Sequence, residues 1–137
     1  MFEQFRINPN DFNGPVLITG AGGCIGSWAL TLLTDAGVPV AAMDLTEDKR
    51  RPKLLMAESE LAQVQWFTGD IADTAAVNNA VEKSGAKAII HLAALQVPFC
   101  KADPIAGAKV NVVGTINIFE AARKFGSKTP CAAIELA

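Results

Sequence analysis

Residues 15–26 of the chain read Pro-Val-Leu-Ile-Thr-Gly-Ala-Gly-Gly-Cys-Ile-Gly, and this stretch decides the fold. It begins with a short apolar run, which predicts a buried strand, and continues with glycines in the pattern Gly-x-x-Gly-x-x-Gly. The residues that follow repeat at helical spacing. We expect the buried face of this helix to carry Ile25, Trp28, Ala29, Leu32, Leu33 and Ala36. The stretch therefore predicts a strand, a glycine turn and a helix.

A second apolar run follows the helix and completes one folding unit. Gly37 stands where a helix C-terminal cap is expected, and the run of residues 38–43 is closed by Asp44. Two continuous apolar strands joined by a helix indicate parallel neighbours, because parallel strands need a crossover connection to pair.

The same alternation continues along the chain. We predict a short polar helix at 51–60, a strand at 63–68, a helix from Asp73 to Ser84 that buries Val77, Ala80 and Val81, a strand at 86–93, a long helix at 104–125 and a fifth strand at 131–136. The pattern predicts an α/β fold, a Rossmann-like doubly wound parallel sheet of about five strands in three layers with strand order 3-2-1-4-5. Residues 1–14 are expected to form a lead-in and residues 15–137 the domain.

Composition limits the classes of function. The chain has 137 residues, of which 50% are hydrophobic and 19% charged, enough for one domain with a buried core. Twelve basic against 14 acidic residues, with no basic block, argue against a nucleic-acid partner. The glycines interrupt the apolar residues 16–33, so no membrane span is expected, and residues 1–10 lack the apolar core of a signal peptide. Three scattered cysteines indicate neither a zinc site nor a disulfide framework, and favour a cytoplasmic setting.

The glycine turn and Asp44 together predict a dinucleotide site. Gly20 allows the tight turn, Gly23 lets a pyrophosphate approach the backbone, and Gly26 lets the helix pack close to the strand. The helix N-terminus offers free N–H groups to phosphates, and a carboxylate at the end of the next strand can bind ribose hydroxyls. The alternative is that the glycines only form a turn and Asp44 only caps a loop.

Five segments in order resemble the motifs of the extended short-chain dehydrogenase/reductases, the NAD-dependent epimerase/dehydratase family. They are Thr19–Gly26, Asp44, Gly69–Ile71, His91–Ala94 and Asn111–Thr115. The similarity covers about residues 15–126. It implies NAD as the cofactor and chemistry on a sugar or sugar nucleotide.

The resemblance also implies roles for individual residues. The pyrophosphate would be held by Gly20, Gly23, Cys24, Ile25 and Gly26, and the adenosine ribose by Asp44. Asp70 with Ile71 would bind the adenine edge, and the nicotinamide side would be lined by Leu92, Ala93 and Ala94. Asn111 would support the active site through the backbone, and Gln96 would begin the substrate pocket. Three alternatives stay open: Asp70 as a turn cap, the two alanines as ordinary packing, and Asn111 as a solvent-facing residue.

His91 and the pair Arg50 and Arg51 could take part in proton transfer or charge pairing. His91 is the only histidine, and we predict a neutral core residue on the fourth strand rather than a catalytic group. Arg50 and Arg51 follow Asp44, where a cation could meet the 2′-phosphate of NADP, but a solvated helix start is the more common role of such residues. Because Asp44 would repel that phosphate, we expect NAD rather than NADP.

The chain has no tyrosine. The resembling family uses a serine or threonine and a Tyr-x-x-x-Lys motif for catalysis, and residues 129–137 contain neither that tyrosine nor that lysine. We therefore interpret the chain as the N-terminal, cofactor-binding part of such an enzyme, truncated before its catalytic and substrate-binding part and inactive alone. The alternatives are a free-standing NAD-binding or sensing module and an assembly module whose glycine turn is a relic.

The 104–125 helix predicts self-association, because it is apolar on more than the one face that a sheet can cover. One stripe is Val110, Val113, Ile118, Ala121 and Phe125, and a second is Val112, Ile116 and Phe119. We expect a homodimer that forms through this helix, through an exposed sheet edge, or through both.

Overall fold

A computed structural model describes residues 6–127 and the backbone of residues 132–133. The strands are β1 (Val16–Thr19), β2 (Val40–Asp44), β3 (Gln65–Thr68), β4 (Ala88–His91) and β5 (Ala132–Ala133). All four pairings are parallel, and the order is β3-β2-β1-β4-β5. The predicted sheet and its strand order are confirmed. The other residues of the predicted fifth strand, 131 and 134–136, lie outside the described part of the chain.

The helices lie between these strands. They are α1 (Cys24–Asp35), α2 (Glu58–Leu61), α3 (Thr74–Ser84), α4 (Val97–Ala102), α5 (Pro104–Ala108) and α6 (Thr115–Phe125), with a π-helical stretch at Lys109–Gly114 and 3-10 turns at Pro9–Asp11 and Pro52–Leu54. The predicted polar helix at 51–60 is instead a 3-10 turn followed by α2, because Ala57 between them is extended. The sequence analysis did not predict α4.

Two apolar clusters, one on each face of the sheet, form the core. Val16 and Ile18 of β1 lie in the cluster that contains Leu30 and Leu33 of α1, whereas Leu17 lies in the opposite cluster. Successive strand residues point to opposite faces, so β1 contributes to both. The second cluster includes Val77, Ala80 and Val81 of α3, as predicted, with Ile118 and Ala121 of α6. The three-layer α/β/α arrangement follows.

The predicted buried face of α1 was wrong in part. Ile25, Trp28 and Leu32 are exposed, at 36%, 45% and 40% of their surface. The buried face instead consists of Gly26, Ser27, Leu30, Thr31 and Leu33. The glycine turn fixes this rotation, because a Cβ on Gly26 would overlap the Gly20 carbonyl oxygen and so a small residue must face the turn.

The long helix at 104–125 also differs from its prediction. It is one helical segment, but the π-helical stretch at 109–114 widens it in the middle. Val113 was placed in the buried stripe and is instead 44% exposed, because it lies within the π-helical stretch, where the spacing of a regular α-helix does not hold. The second predicted stripe, Val112, Ile116 and Phe119, is exposed along its whole length.

Gly37 ends α1 as predicted. Its φ is +78°, its N–H bonds the Thr34 carbonyl, and the Val38 N–H bonds the Leu33 carbonyl, the pattern of a helix C-terminal cap. In the predicted lead-in, Ile7 and Phe12 pack against the first core cluster. None of the helices in the described ranges is long and apolar enough to span a membrane.

Candidate functional site

A groove of about 1240 Å³ opens at the carboxyl ends of the strands. It lies beside the end of β1, where the chain connections leave on opposite faces of the sheet, the position at which open α/β sheets bind ligands. All the residues predicted to bind a cofactor line it: Gly20, Gly23, Cys24, Ile25, Gly26, Asp44, Asp70, Ile71, Leu92, Ala93, Ala94 and Asn111. The structure thus brings the predicted set together, and their contacts with a cofactor stay predictions.

The glycine turn forms one wall of the groove. Gly20 has a φ of +68°, and a Cβ there would lie 2.8 Å from the Ala93 nitrogen, so β1 and the end of β4 approach as closely as backbones can. Gly23 is the N-cap residue of α1 and supplies no side-chain acceptor. The first N–H groups of α1 therefore keep free donor capacity beside the groove, together with the positive end of the helix dipole.

Asp44 connects the end of β2 to this turn. Its Oδ2 accepts a hydrogen bond from the Gly22 N–H at 2.9 Å, and its Oδ1 accepts one from the Leu45 N–H at 2.8 Å. Each carboxylate oxygen has a further lone pair for a ligand hydroxyl. Asp44 thus caps its own loop and also fixes the glycine turn, so it does more than the loop cap that was the alternative.

The two arginines after Asp44 have different environments. Arg50 is exposed and pairs with Asp48 at 2.7 Å, and this hydrogen-bonded guanidinium lowers the pKa of Asp48 to about 2. Arg51 instead lines the groove and donates from Nη1 to the Gly22 carbonyl at 3.4 Å. Both side chains are exposed, as the solvated role predicts, and Arg51 precedes the 3-10 turn at Pro52–Leu54, but only Arg51 also reaches the glycine turn.

Asp70 and Ile71 lie at the end of the groove beside α6. The Asp70 carboxylate accepts from the Ala72 N–H at 2.8 Å, which is the turn-cap geometry left open as an alternative. Ile71 is buried beneath Gly114, where a Cβ would approach the Ile71 side chain to 2.7 Å. Asn117 donates to the Ile71 carbonyl at 2.9 Å and holds this turn to α6.

The segment 92–96 forms the opposite wall and is held by Asn111 from the π-helical stretch. The Leu95 N–H donates to Asn111 Oδ1 at 2.7 Å, and Asn111 Nδ2 donates to the Leu95 carbonyl at 2.9 Å. Asn111 is therefore not solvent-facing, and it acts on the wall through the backbone. Cys100 Sγ also donates to the Leu95 carbonyl, at 3.2 Å. Gln96 lines the groove and is the N-cap residue of α4.

His91 lies at the base of this wall. It is 3% exposed, and burial lowers the pKa of its imidazole, which favours the neutral form. Its Nδ1 lies 2.7 Å from Thr19 Oγ1 and its Nε2 lies 3.2 Å from Thr115 Oγ1. The prediction of a neutral core histidine agrees with this placement.

The sequence analysis assigned no role of their own to three contributors to the groove. Thr19 and Thr115 bond the histidine, and Cys100 supports Leu95. The sequence indicated a role only for Thr115, because it lies four residues after Asn111 and therefore on the same side of a helix.

Comparison with known proteins gives one family. Residues 17–135 match the family model described as GDP-mannose 4,6 dehydratase. The chain is 36% identical over 122 residues to UDP-glucose 4-epimerase of Mus musculus, a match that covers 82% of this chain and 35% of that protein. The chain therefore spans about a third of the length of that curated relative.

Solved structures agree with this match. The UDP-glucose 4-epimerase of Thermus thermophilus in complex with NAD superposes with a TM-score of 0.71 at 31% identity, over 82% of this chain and 35% of that one. The enzyme WbmH of Bordetella bronchiseptica in complex with NAD⁺ superposes with a TM-score of 0.66 at 31% identity, over 83% of this chain and 36% of that one.

Proposed function

Because the chain belongs to the GDP-mannose 4,6 dehydratase family, among the NAD-dependent epimerases and dehydratases of the short-chain dehydrogenase/reductase group, we propose that its groove binds NAD. The observation that carries this proposal is the carboxylate of Asp44, which lies at the end of β2 and bonds the glycine turn at Gly22. It sets an acceptor for ribose hydroxyls next to the N–H donors that would bind a pyrophosphate.

The residues of the groove fit an extended dinucleotide. The turn at Gly20–Gly26 and the first turn of α1 would hold the pyrophosphate, since glycine side chains leave the backbone accessible and the helix dipole favours an anion. Asp44 would hold the adenosine ribose, and Asp70 with Ile71 the adenine. Leu92, Ala93 and Ala94 would line the nicotinamide ring, where small side chains leave room for a flat group.

The cofactor is proposed to be NAD rather than NADP. A 2′-phosphate would stand against the Asp44 carboxylate, and Arg51, the cation that lines this part of the groove, is bonded to the Gly22 carbonyl. Calorimetric titration of both dinucleotides tests this directly. We expect NAD to bind at least about tenfold more tightly than NADP, the effect of one unfavourable charge contact.

The matched variants are Asp44→Asn and Asp35→Asn. Asp44→Asn keeps the shape and one acceptor, which can still serve Gly22, but it removes the charge and the acceptor of the Leu45 N–H. NAD affinity should therefore fall and the preference over NADP should shrink. Asp35 is exposed at the opposite end of α1, and its substitution should change neither affinity. Equal or tighter binding of NADP by the natural sequence would contradict the cofactor preference, and no binding of either would contradict the proposal.

The reaction class follows from the family and is part of the proposal. We propose that these residues belong to an epimerase, dehydratase or dehydrogenase acting on a sugar or sugar nucleotide, in which NAD accepts a hydride. The domain is proposed to span residues 15–137, with residues 1–14 as a lead-in. The fold and groove alone suit equally a free-standing NAD-binding module. A Tyr-x-x-x-Lys motif encoded downstream in the same reading frame would favour the enzyme.

The 137 residues by themselves are proposed to perform no turnover. The family acid/base is a tyrosine, and the sequence has none. His91 cannot replace it, because both ring nitrogens are bonded to threonines and a general base must reach the proton it removes. NAD should therefore raise the melting temperature while NADH formation with a panel of sugars and sugar nucleotides stays at background. Reproducible turnover that disappears in Gly23→Asp would contradict this.

A homodimer is proposed on a separate observation. Val112, Ile116 and Phe119 are 56%, 54% and 50% exposed along one side of the helical segment 109–125, an apolar face that a second copy would cover. Light scattering at about 50 µM should give a dimer mass, a concentration that detects micromolar association. Ile116→Glu should give a monomer, whereas Asn79→Glu, an exposed change on α3, should not. A monomeric natural sequence would contradict the dimer.

A further inference from the structure

The hydrogen bonds around His91 assign its tautomer without any hydrogen being observed. The Thr115 hydroxyl donates its single hydrogen to the Asn111 carbonyl at 2.7 Å, so toward the ring it can only accept. The ring nitrogen that faces it, Nε2 at 3.2 Å, must therefore carry the proton. In a neutral imidazole the other nitrogen, Nδ1, is then an acceptor.

The same reasoning fixes the hydroxyl of Thr19. Since Nδ1 of His91 is an acceptor, the Thr19 hydroxyl must donate to it across the 2.7 Å contact. Both lone pairs of Thr19 Oγ1 then remain, and the N–H groups of Leu92 and Ala93 donate to them at 3.2 Å and 3.3 Å. The hydroxyl uses its one hydrogen and its two lone pairs, so each group has one orientation.

These bonds join the two ends of the wall that lines the groove. Leu92 and Ala93 are held by Thr19, and Leu95 is held by Asn111, whose own carbonyl accepts from Thr115. His91 is the link between the two threonines. Removing the ring would free the Thr19 hydroxyl to rotate. The Ala93 N–H would then lose its fixed acceptor, whereas the Leu92 N–H also donates to the Thr19 carbonyl at 3.2 Å.

We propose that His91 is a positioning residue which, as the neutral Nε2–H tautomer, orients Thr19 and thereby fixes the wall at residues 92–95 for the nicotinamide half of NAD. This inference rests on the proposed function. Neither hydrogen bond of the ring reaches Asp44, which lies on β2 in the adenosine half of the groove, so binding there should depend much less on His91.

The first test is the ring tautomer, which needs no ligand. His91 is the only histidine of the chain, so in tag-free protein both ring nitrogen signals in a ¹⁵N NMR spectrum belong to it. At neutral pH we expect Nε2 in the protonated range and Nδ1 in the unprotonated range. The opposite tautomer, or a charged ring, would overturn the inference.

The second test compares NAD with ADP-ribose, which lacks the nicotinamide ring. Asparagine and leucine have nearly the same shape, so His91→Asn and His91→Leu differ mainly in whether an acceptor faces Thr19. In His91→Leu we expect NAD affinity to fall about tenfold, which is the effect of losing one oriented hydrogen bond. The affinity for ADP-ribose should stay within about twofold of that of the natural sequence. His91→Asn should recover most of the loss.

If circular dichroism shows that His91→Leu does not fold, Thr115→Val is the replacement variant for the binding test. It removes the acceptor that fixes the tautomer and should weaken NAD more than ADP-ribose. Equal weakening of both ligands, or no difference between His91→Asn and His91→Leu, would overturn the inference and leave the proposed function intact. Failure of the natural sequence to bind NAD would overturn the proposed function and this inference with it.

Discussion

The two walls of the groove are built differently. The glycine-turn wall is made by backbone geometry within one strand-helix-strand unit, in which Gly26 lets α1 pack against the end of β1. The wall at residues 92–95 is held by side chains from distant elements, through Thr19 on β1 and Asn111 in the π-helical stretch. The first wall thus depends mainly on the absence of side chains at its glycines, with Asp44 of the same unit bonding Gly22, and the second on hydrogen bonds from distant elements.

The largest effect should come from filling the glycine-turn wall. In Gly26→Val the added side chain would overlap the Gly20 carbonyl oxygen, so α1 must move away from β1. We expect a loss of about 3 kcal/mol or more in the free energy of unfolding, with no NAD binding. Thermal and urea unfolding measure it.

Gly37→Ala is the control for that experiment. It has a positive φ but open space around the added carbon, so only backbone strain applies and the loss should be about 1 kcal/mol. Similar losses for the two variants would show that close packing at Gly26 does not define this wall.

Breaking the second wall should cost less. Asn111→Leu keeps the shape but leaves the Leu95 N–H without its partner, while the Leu95 carbonyl retains Cys100 Sγ. We expect a loss of about 2 kcal/mol, the cost of an unsatisfied part-buried group, measured by urea unfolding. Asn79→Leu makes the same chemical change at an exposed site on α3 and should be near neutral. A neutral Asn111→Leu would mean that this wall is held by packing alone.

Gly23→Ala should separate binding from stability on the first wall. Its φ is −70°, which any residue adopts, and the new Cβ would lie 3.1 Å from the Gly20 carbonyl oxygen. The loss of stability should be about 1 kcal/mol or less. NAD affinity measured by calorimetry should nevertheless fall about tenfold if the pyrophosphate approaches this backbone. Unchanged affinity would place the phosphates elsewhere.

The smallest effect is a dependence of stability on pH through His91. Burial lowers its pKa in the folded protein, whereas the unfolded chain takes up a proton near the ordinary value of about 6.5. Below that pH the unfolded state therefore binds more protons than the folded state. The contribution of the neutral ring to the free energy of unfolding is present above about pH 6.5 and is lost as the pH falls toward the lower folded-state pKa. Melting temperatures of the natural sequence should drop more between about pH 7 and 5.5 than those of His91→Asn. Parallel curves would contradict this.

The difference between the two walls also explains which parts of the fold and of the site could be predicted from the sequence. Glycine spacing, the Gly37 cap and Asp44 at a strand end are local signals, so the glycine turn, the sheet and its strand order were predicted correctly. The rotation of α1 was missed at Trp28, because periodicity detects large apolar residues and the turn demanded small ones. The bonds of Thr19 with His91 and of Asn111 with Leu95 join residues far apart, so no local pattern reports them, and the backbone-supporting role of Asn111 came only from the family resemblance.

The position of β1 in the sheet has a consequence for folding during synthesis. β1 is made before β2, β3, β4 and β5, yet it lies in the centre of these strands, between β2 and β4. Thr19 and His91 are 72 residues apart, so at ordinary translation rates the second edge of β1 waits on the order of ten seconds for its neighbour. During that time an apolar strand edge and the Thr19 hydroxyl stay open to other chains. Until the residues of β4 follow, the nascent chain therefore carries an edge at which it can mispair.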